Sequence, residues 1–331
     1  MELKDLLFRL SDSVNIGGIN DAISVAGGVL ANICKVKNFN DGSLLAYIDN
    51  KKEKTVLLDA HIDQIGMVVT SICDNGFLRV APAGGLDNRM LAGTRVTVHG
   101  KHNVVGVFCS VPPHLKKDDS DKPQKIEDMA VDTGLVDVKN FVSVGDRVTF
   151  RQSATELKNG RMTGASLDNR AGVAALIETA RLISNSDCRY NVAILLSDQE
   201  ELGLRGAKVK AFSMAVDLAI VVDVGFGDSP DVEKTKSSPL GGGPVIGISP
   251  VLSDAVTNRL IEMAKSYDLK FGVEAMGGLT STNADEISTV RAGVPTALVS
   301  IPLRNMHTPV EVIDIEDVKN TARLLAAFIK E

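Results

Sequence analysis

Hydrophobic and polar positions divide the chain into three stretches of different rhythm. At the start, Leu3, Leu6, Leu7 and Leu10 recur at helical spacing with charge at Glu2, Lys4, Asp5 and Arg9 between them, which predicts an amphipathic opening helix. This first stretch ends in the apolar run 55–59, a predicted buried strand. From about residue 67 the rhythm shortens. Segments 66–70, 77–80, 95–98, 104–108 and 147–150 are short, rich in β-formers and separated by Gly, Asn and Asp, the pattern of a small all-β module. Within it the run 116–123 is charged and ends in a proline, so a solvated loop is expected there.

The third stretch, from about residue 162, alternates helix with wholly apolar strand. Helices are predicted over 168–184, 251–267 and 313–330, and strands over 191–196, 217–222 and 295–300. Apolar strands between helices imply a sheet buried on both faces. The expected fold class is therefore α/β, a mixed sheet with helices on both faces, carrying an inserted small β-barrel-like domain. Residues 1–66 and 160–331 would form one discontinuous catalytic domain and 67–159 the β-rich insertion. No internal repeat is found.

Composition narrows the function. A chain of 331 residues that is 44% hydrophobic can bury a sizeable core of one or two domains. A formal net charge of -6 argues against a nucleic-acid binder. The absence of Trp and the presence of only three Tyr disfavour proteins that hold sugars or unpaired bases on aromatic faces. The charged N-terminus lacks a signal peptide's apolar core, and no run approaches the roughly 18 apolar residues of a membrane span. Cys34, Cys73, Cys109 and Cys188 are scattered with no CxxC pair, which fits thiols in a reducing compartment. A cytoplasmic location, with neither nucleic acid nor membrane as partner, is the expectation.

Five positions follow or end predicted buried strands, where open α/β sheets place their sites. His61 and Asp63 follow the first strand, and a carboxylate so close to an imidazole can orient it as a metal ligand. Asp168 opens a predicted helix and reads equally well as its N-cap. Glu200 and Glu201 follow the strand over 191–196; they are either an exposed acidic turn or a buried pair that needs cations. Asp223 and His307 complete the set. Oxygen and imidazole donors without thiolate suit two divalent ions such as Zn, Co or Mn. A carboxylate bridging two ions about 3.5–4 Å apart is a standard device for activating water.

Five runs in the order found here, Ala60–Gly66, Leu167–Gly172, Gln199–Ala207, Leu240–Pro244 and Met306–Glu311, together resemble the tetrahedral aminopeptidases, also called glutamyl or deblocking aminopeptidases. Some members of that family carry an endoglucanase label. The resemblance spans nearly the whole chain and implies a zinc aminopeptidase-like fold. It implies that His61 and Asp223 complete one metal site, that Glu201 and His307 complete the other, and that Asp168 bridges them. It implies Glu200 as general base, with Asp63 orienting His61. The implied reaction is removal of N-terminal residues from short peptides. The implied assembly is a large shell, typically a dodecamer built from dimers, to which the β insertion contributes.

Gln64, Asn169 and Ser281-Thr-Asn283 depart from the family's usual Glu, Asp and Gly-Thr-Asp at those places. No expected ligand is lost. Asn283 is expected near the substrate pocket, where it would bind substrate with one negative charge fewer. Two other readings remain: a two-carboxylate glycoside hydrolase of the endoglucanase kind, which leaves His61 and His307 unexplained, and an inactive shell-forming homologue.

Overall fold

The structure, a computed structural model, describes residues 1–115, 123–230 and 232–331. Its centre is an eleven-stranded mixed sheet. Four strands run parallel side by side: Asn191–Ser197, Thr55–His61, Leu218–Phe226 and Thr296–Arg304. Antiparallel strands extend both sides, Leu44–Ile48 beside Asn191–Ser197 and Glu311–Asp314 beside Thr296–Arg304. The parallel strands are almost entirely buried because both faces are covered, which is why they read as continuous apolar runs rather than alternations.

Alternate side chains of each strand feed different cores. Val56, Leu58 and Ala60 pack with Leu6, Leu10, Leu176 and Leu325, under the helices Leu3–Ser11, Leu167–Ile183 and Ile315–Lys330. Leu57, Ala193, Leu195 and Val221 point the other way, against Ala207 and Ala211 of Arg205–Ser213 and Ile287 of Asn283–Ile287. Each fully buried leucine contributes about 1.5–3 kcal/mol of transfer free energy. The opening helix is therefore held by Leu6, Leu7 and Leu10, the residues that predict it.

A closed barrel of six strands is built from chain between the first two parallel strands of the sheet. Five strands coincide with the expected segments: Gly66–Ile72, Leu78–Ala83, Arg95–His99, Asn103–Phe108 and Arg147–Phe150. The sixth, Val131–Asp132, pairs with Leu78 and with Val107 and Phe108 to close the ring. Its two residues are too few to show periodicity. Met67, Val69, Leu78, Val98, Phe108 and Val148 fill the interior. Most of the expected loop over 116–123 lies outside the described residues. Among the described residues no helix is long and apolar enough to cross a membrane.

Candidate functional site

Because four strands run parallel, their carboxyl ends meet at one edge of the sheet, outside which such folds bind ligands. His61 is the last residue of Thr55–His61, and Glu200 and Glu201 lie just beyond Asn191–Ser197. Asp223 sits near the end of Leu218–Phe226, inside the strand rather than after it, and His307 follows Thr296–Arg304. Asp168 comes from the start of Leu167–Ile183, beneath the same edge.

Asp168 is the hub. Its Oδ1 lies 3.0 Å from His61 Nε2 and its Oδ2 3.3 Å from His307 Nε2, so each oxygen faces a different imidazole. Asp223 Oδ1 stands 3.7 Å and Glu200 Oε2 3.9 Å from His61 Nε2, while Glu201 Oε1 is 3.4 Å from His307 Nε2. The N-cap reading of Asp168 does not hold. Asn169 takes that work, its Oδ1 accepting from Gly172 N at 2.9 Å. Its Nδ2 also donates to Val222 O at 2.8 Å, tying the helix start to the strand that carries Asp223. An ionised aspartate could not donate there, so the amide of Asn169 makes a bond that a carboxylate at this position would not. Gly172 is required by the same packing, since a Cβ there would fall 2.3 Å from Asn169 Oδ1.

A second layer of contacts fixes these side chains and the backbone that carries them. Asp63 Oδ1 accepts from Glu200 N at 3.0 Å and Oδ2 from Glu201 N at 3.1 Å, while Oδ1 stays 3.4 Å from His61 Nδ1. Asp63 thus positions the Glu200–Glu201 backbone more directly than the His61 ring. The buried Glu311 bridges two of the expected ligands: Oε2 accepts from Asp168 N at 3.0 Å and Oε1 from His307 N at 2.9 Å. The sequence offers only its place in the Met306–Glu311 run as a signal. Gly84 and Gly85, just past the barrel strand Leu78–Ala83, also escaped sequence reasoning. A Cβ on Gly85 would stand 2.9 Å from His307 Nδ1, and one on Gly84 3.5 Å from Glu201 Oε2. The barrel therefore presses backbone against the site.

Gln64 is explained by neighbours as well. Its Oε1 accepts from Asn15 N at 3.0 Å and from Arg170 Nη2 at 3.2 Å. Burial pushes the Arg170 guanidinium down to about 10, against the opposing pull of Asp63 and Asp198.

Glu200 and Glu201 are not an exposed turn; their side chains are 11% and 6% exposed. Burial pushes Glu200 up to about 7, a rise that His61 opposes and that Glu201, Asp168 and Asp63 reinforce. Burial likewise holds Asp223 well above the carboxylate range, opposed by His61 and reinforced by Glu200. His307 is raised to about 11 by its contacts with Asp168 and Glu201. Buried carboxylates thus outnumber the cations available to balance them. The His61 Nδ1 atom has no hydrogen-bond partner. Two groups of ligand atoms, His61–Glu200–Asp223 and His61–Asp168–Glu201, have all members within 4.8 Å of one another. Oxygen and imidazole donors at this spacing, with surplus negative charge, fit divalent cations.

The site opens into a cavity of about 810 Å³. Asn283 does not reach it. The residue is buried, its Nδ2 donating to Asp59 Oδ2 at 2.8 Å and Ser197 Oγ at 2.9 Å, behind the strand ends. The expectation that Asn283 binds substrate is corrected accordingly: it braces two adjacent strands, and its neighbours Thr280, Ser281 and Thr282 line the cavity instead.

Residues 42–324 match the M42 glutamyl aminopeptidase family. A lysyl aminopeptidase of Pyrococcus furiosus is 35% identical over 301 residues, which is 88% of this chain and 85% of that protein. The TET aminopeptidase of a marine-sediment thaumarchaeon superposes with a TM-score of 0.94 at 26% identity, covering 99% of this chain and 96% of that one. The TET1 peptidase of Pyrococcus horikoshii, which can assemble into a tetrahedron or a large octahedral shell, gives 0.86 at 26% identity with full coverage of both chains. The fold agrees with these solved structures over the length of the chain, and the chain belongs to the M42 glutamyl aminopeptidase family.

Proposed function

We propose that this chain is a dinuclear-metal aminopeptidase that removes N-terminal residues from short peptides. One observation carries the reading: Asp168 presents one oxygen to His61 and the other to His307, with Asp223 and Glu201 beside the respective imidazoles. His61 and Asp223 would hold one ion and Glu201 and His307 the other, with Asp168 shared. Zn or Co suits this donor set, and Mn is compatible with it. Bound there, the ions would polarise the scissile carbonyl and lower the pKa of the attacking water.

The chain's own residues do the rest. Glu200 lines the cavity beside His61 and Asp223. In the proposed reaction its carboxylate takes a proton from the attacking water and returns it to the leaving amine. Asp63 holds the Glu200 backbone so that the carboxylate faces the cavity. Burial excludes bulk water and strengthens each of these interactions. The barrel, as the proposed assembly module, would enclose such sites in a shell of identical chains, built from dimers as a dodecamer, that admits only short, unfolded peptides.

The test is removal of metal by a chelator and restoration with Zn, Co or Mn, read on aminoacyl-anilides. Activity should vanish and return. Hydrolysis of cellulose oligomers with none of any anilide would sink the reading in favour of a glycoside hydrolase. Glu200→Gln should keep its metal and lose about 10²–10⁴-fold in kcat. Turnover within a few-fold of the parent would remove Glu200 as the base.

A further inference from the structure

The relatives' names point in opposite directions on the side chain removed, lysyl in one and glutamyl in the family's, so the preference of this chain must come from its own pocket. Among the described residues, no lysine or arginine lines the cavity. Within this cavity an incoming glutamate would meet carboxylates; Lys234 and Lys236 line a separate pocket that shares Gly225, Phe226 and Glu274 with it.

One carboxylate in that wall is free. Glu274 lies on the strand Gly272–Ala275, which pairs in parallel with Val245–Ile248 and through it is tied to Thr296–Arg304. It is half-buried, and burial pushes its carboxyl up with no cationic group acting against the rise. Asp285, the other acid on this side, is occupied: its oxygens accept from the backbone N–H groups of Thr280 and Ser281. Among the described residues no hydrogen bond or ion pair engages the Glu274 side chain.

The path to Glu274 starts at the proposed metal site. Gly225 lies two residues beyond Asp223 on the same strand and faces the same side. A Cβ there would stand 3.1 Å from Ser300 Cβ and 3.9 Å from Glu274 Oε2. A side chain at this position would crowd Ser300 and stand between the proposed metal site and Glu274, and glycine is the residue a strand uses where a ligand approaches its backbone. Two residues of strand span roughly 6.6 Å, a gap that the three- or four-carbon stem of arginine or lysine bridges. Phe226, Met276 and Leu279 supply apolar surface around such a stem.

We propose that Glu274 selects the first side chain of the substrate, and that this chain releases N-terminal lysine or arginine in preference to leucine and, most strongly, to glutamate. The proposal rests on the aminopeptidase reading above. In the complex the cationic head would donate to Glu274 while its stem lies over Gly225.

The full chain, reloaded with metal, would be assayed on lysyl-, arginyl-, leucyl- and glutamyl-anilides. The parent should show the highest kcat/KM on the basic pair. Glu274→Gln should lower the lysine-to-leucine ratio of kcat/KM by about tenfold to a hundredfold, the effect of removing one charged partner of a hydrogen bond. Glu274→Lys should raise glutamyl-anilide relative to lysyl-anilide. A merely structural role would depress all four substrates together and leave the ratios in place. A parent that prefers leucine or glutamate, or a ratio unmoved in Glu274→Gln, overturns the assignment. Failure on every anilide overturns the aminopeptidase reading with it, whereas turnover of leucyl-anilide with an unmoved ratio overturns the selector alone.

Discussion

Several residues around the site hold backbone conformations that side chains avoid. Ser166, Gln199 and His307 have φ of 61°, 62° and 61°, in the left-handed region, and none is glycine. Each costs of order 1–3 kcal/mol and persists only where surrounding contacts over-determine it. For His307 that contact is Glu311, which accepts from its N–H and, with its other oxygen, from that of Asp168. Glu311→Ala would leave the buried Asp168 N–H and the part-buried His307 N–H unpaired and free both proposed ligands to drift. Affinity for the first divalent ion should fall about 10–100-fold, as when other groups that orient ligands are lost. Calorimetric titration of the metal-free protein checks this, and affinity within twofold of the parent would contradict it. The proposed ligands His61, Glu201, Asp223 and His307 were legible because each follows or ends an apolar run, and Asp168 because a polar cluster opens its helix. Glu311 was not, because a carboxylate that points at backbone N–H groups leaves no pattern in the sequence. Asn283 misled for the related reason that position near a pocket says nothing of which way a side chain turns.

At the scale of elements, periodicity located the long helices and the parallel strands, and failed where an element is brief. Val131–Asp132 closes the barrel with two residues, and Asn283–Ile287 is a single short helix whose cap is Thr282 Oγ1. The glycine run Leu240–Pro244 shows what a motif can be for besides chemistry. Gly241 and Gly243 take φ of +83° and +88°, and a Cβ on Gly243 would meet Lys270 O at 2.0 Å. Their N–H groups donate to the two oxygens of Asp317, at 2.8 and 2.7 Å, docking the turn onto the first turn of Ile315–Lys330. Burial pushes the Asp317 carboxyl up to about 6 in spite of these bonds. In the unfolded chain an aspartate ionises near ~3.9. Between the two values the folded chain keeps a proton that the unfolded chain has lost, so this group's contribution to stability falls as pH rises from about 4 to about 6 and is level above. Melting temperatures of the parent and Asp317→Asn across that range, taken as a difference, should show the parent losing ground as pH rises. A flat difference, or one of opposite slope, would place the Asp317 pKa elsewhere.

Over the whole molecule, exposed apolar side chains occur both on the catalytic part, as at Val209, Phe212 and Leu279, and on the barrel. The barrel region exposes Val105 and Val107 on the outward face of Asn103–Phe108, and beyond them Val136, Phe141 and Val144, with Val136 91% exposed. A barrel with its own filled core has no internal need for these side chains on its surface. A contiguous apolar patch on a surface marks a partner, and in the proposed shell a second copy of the chain would be the partner for these side chains. The barrel also presents Gly84 and Gly85 to Glu201 and His307, so assembly and site would share a wall. If the barrel surface builds the shell, Val136→Asp with Val144→Asp should shift the sedimentation coefficient from a large assembly to dimers or monomers. It should do so while aminoacyl-anilides, which need no enclosure, are still cleaved. The size limit on substrates should then relax, so that a long unfolded peptide is trimmed faster by the double variant than by the parent. An unchanged sedimentation coefficient would move the interface elsewhere on the chain. Dissociation with no gain on long peptides would mean that the depth of each subunit's own cavity, and not the enclosing shell, is what restricts the substrate.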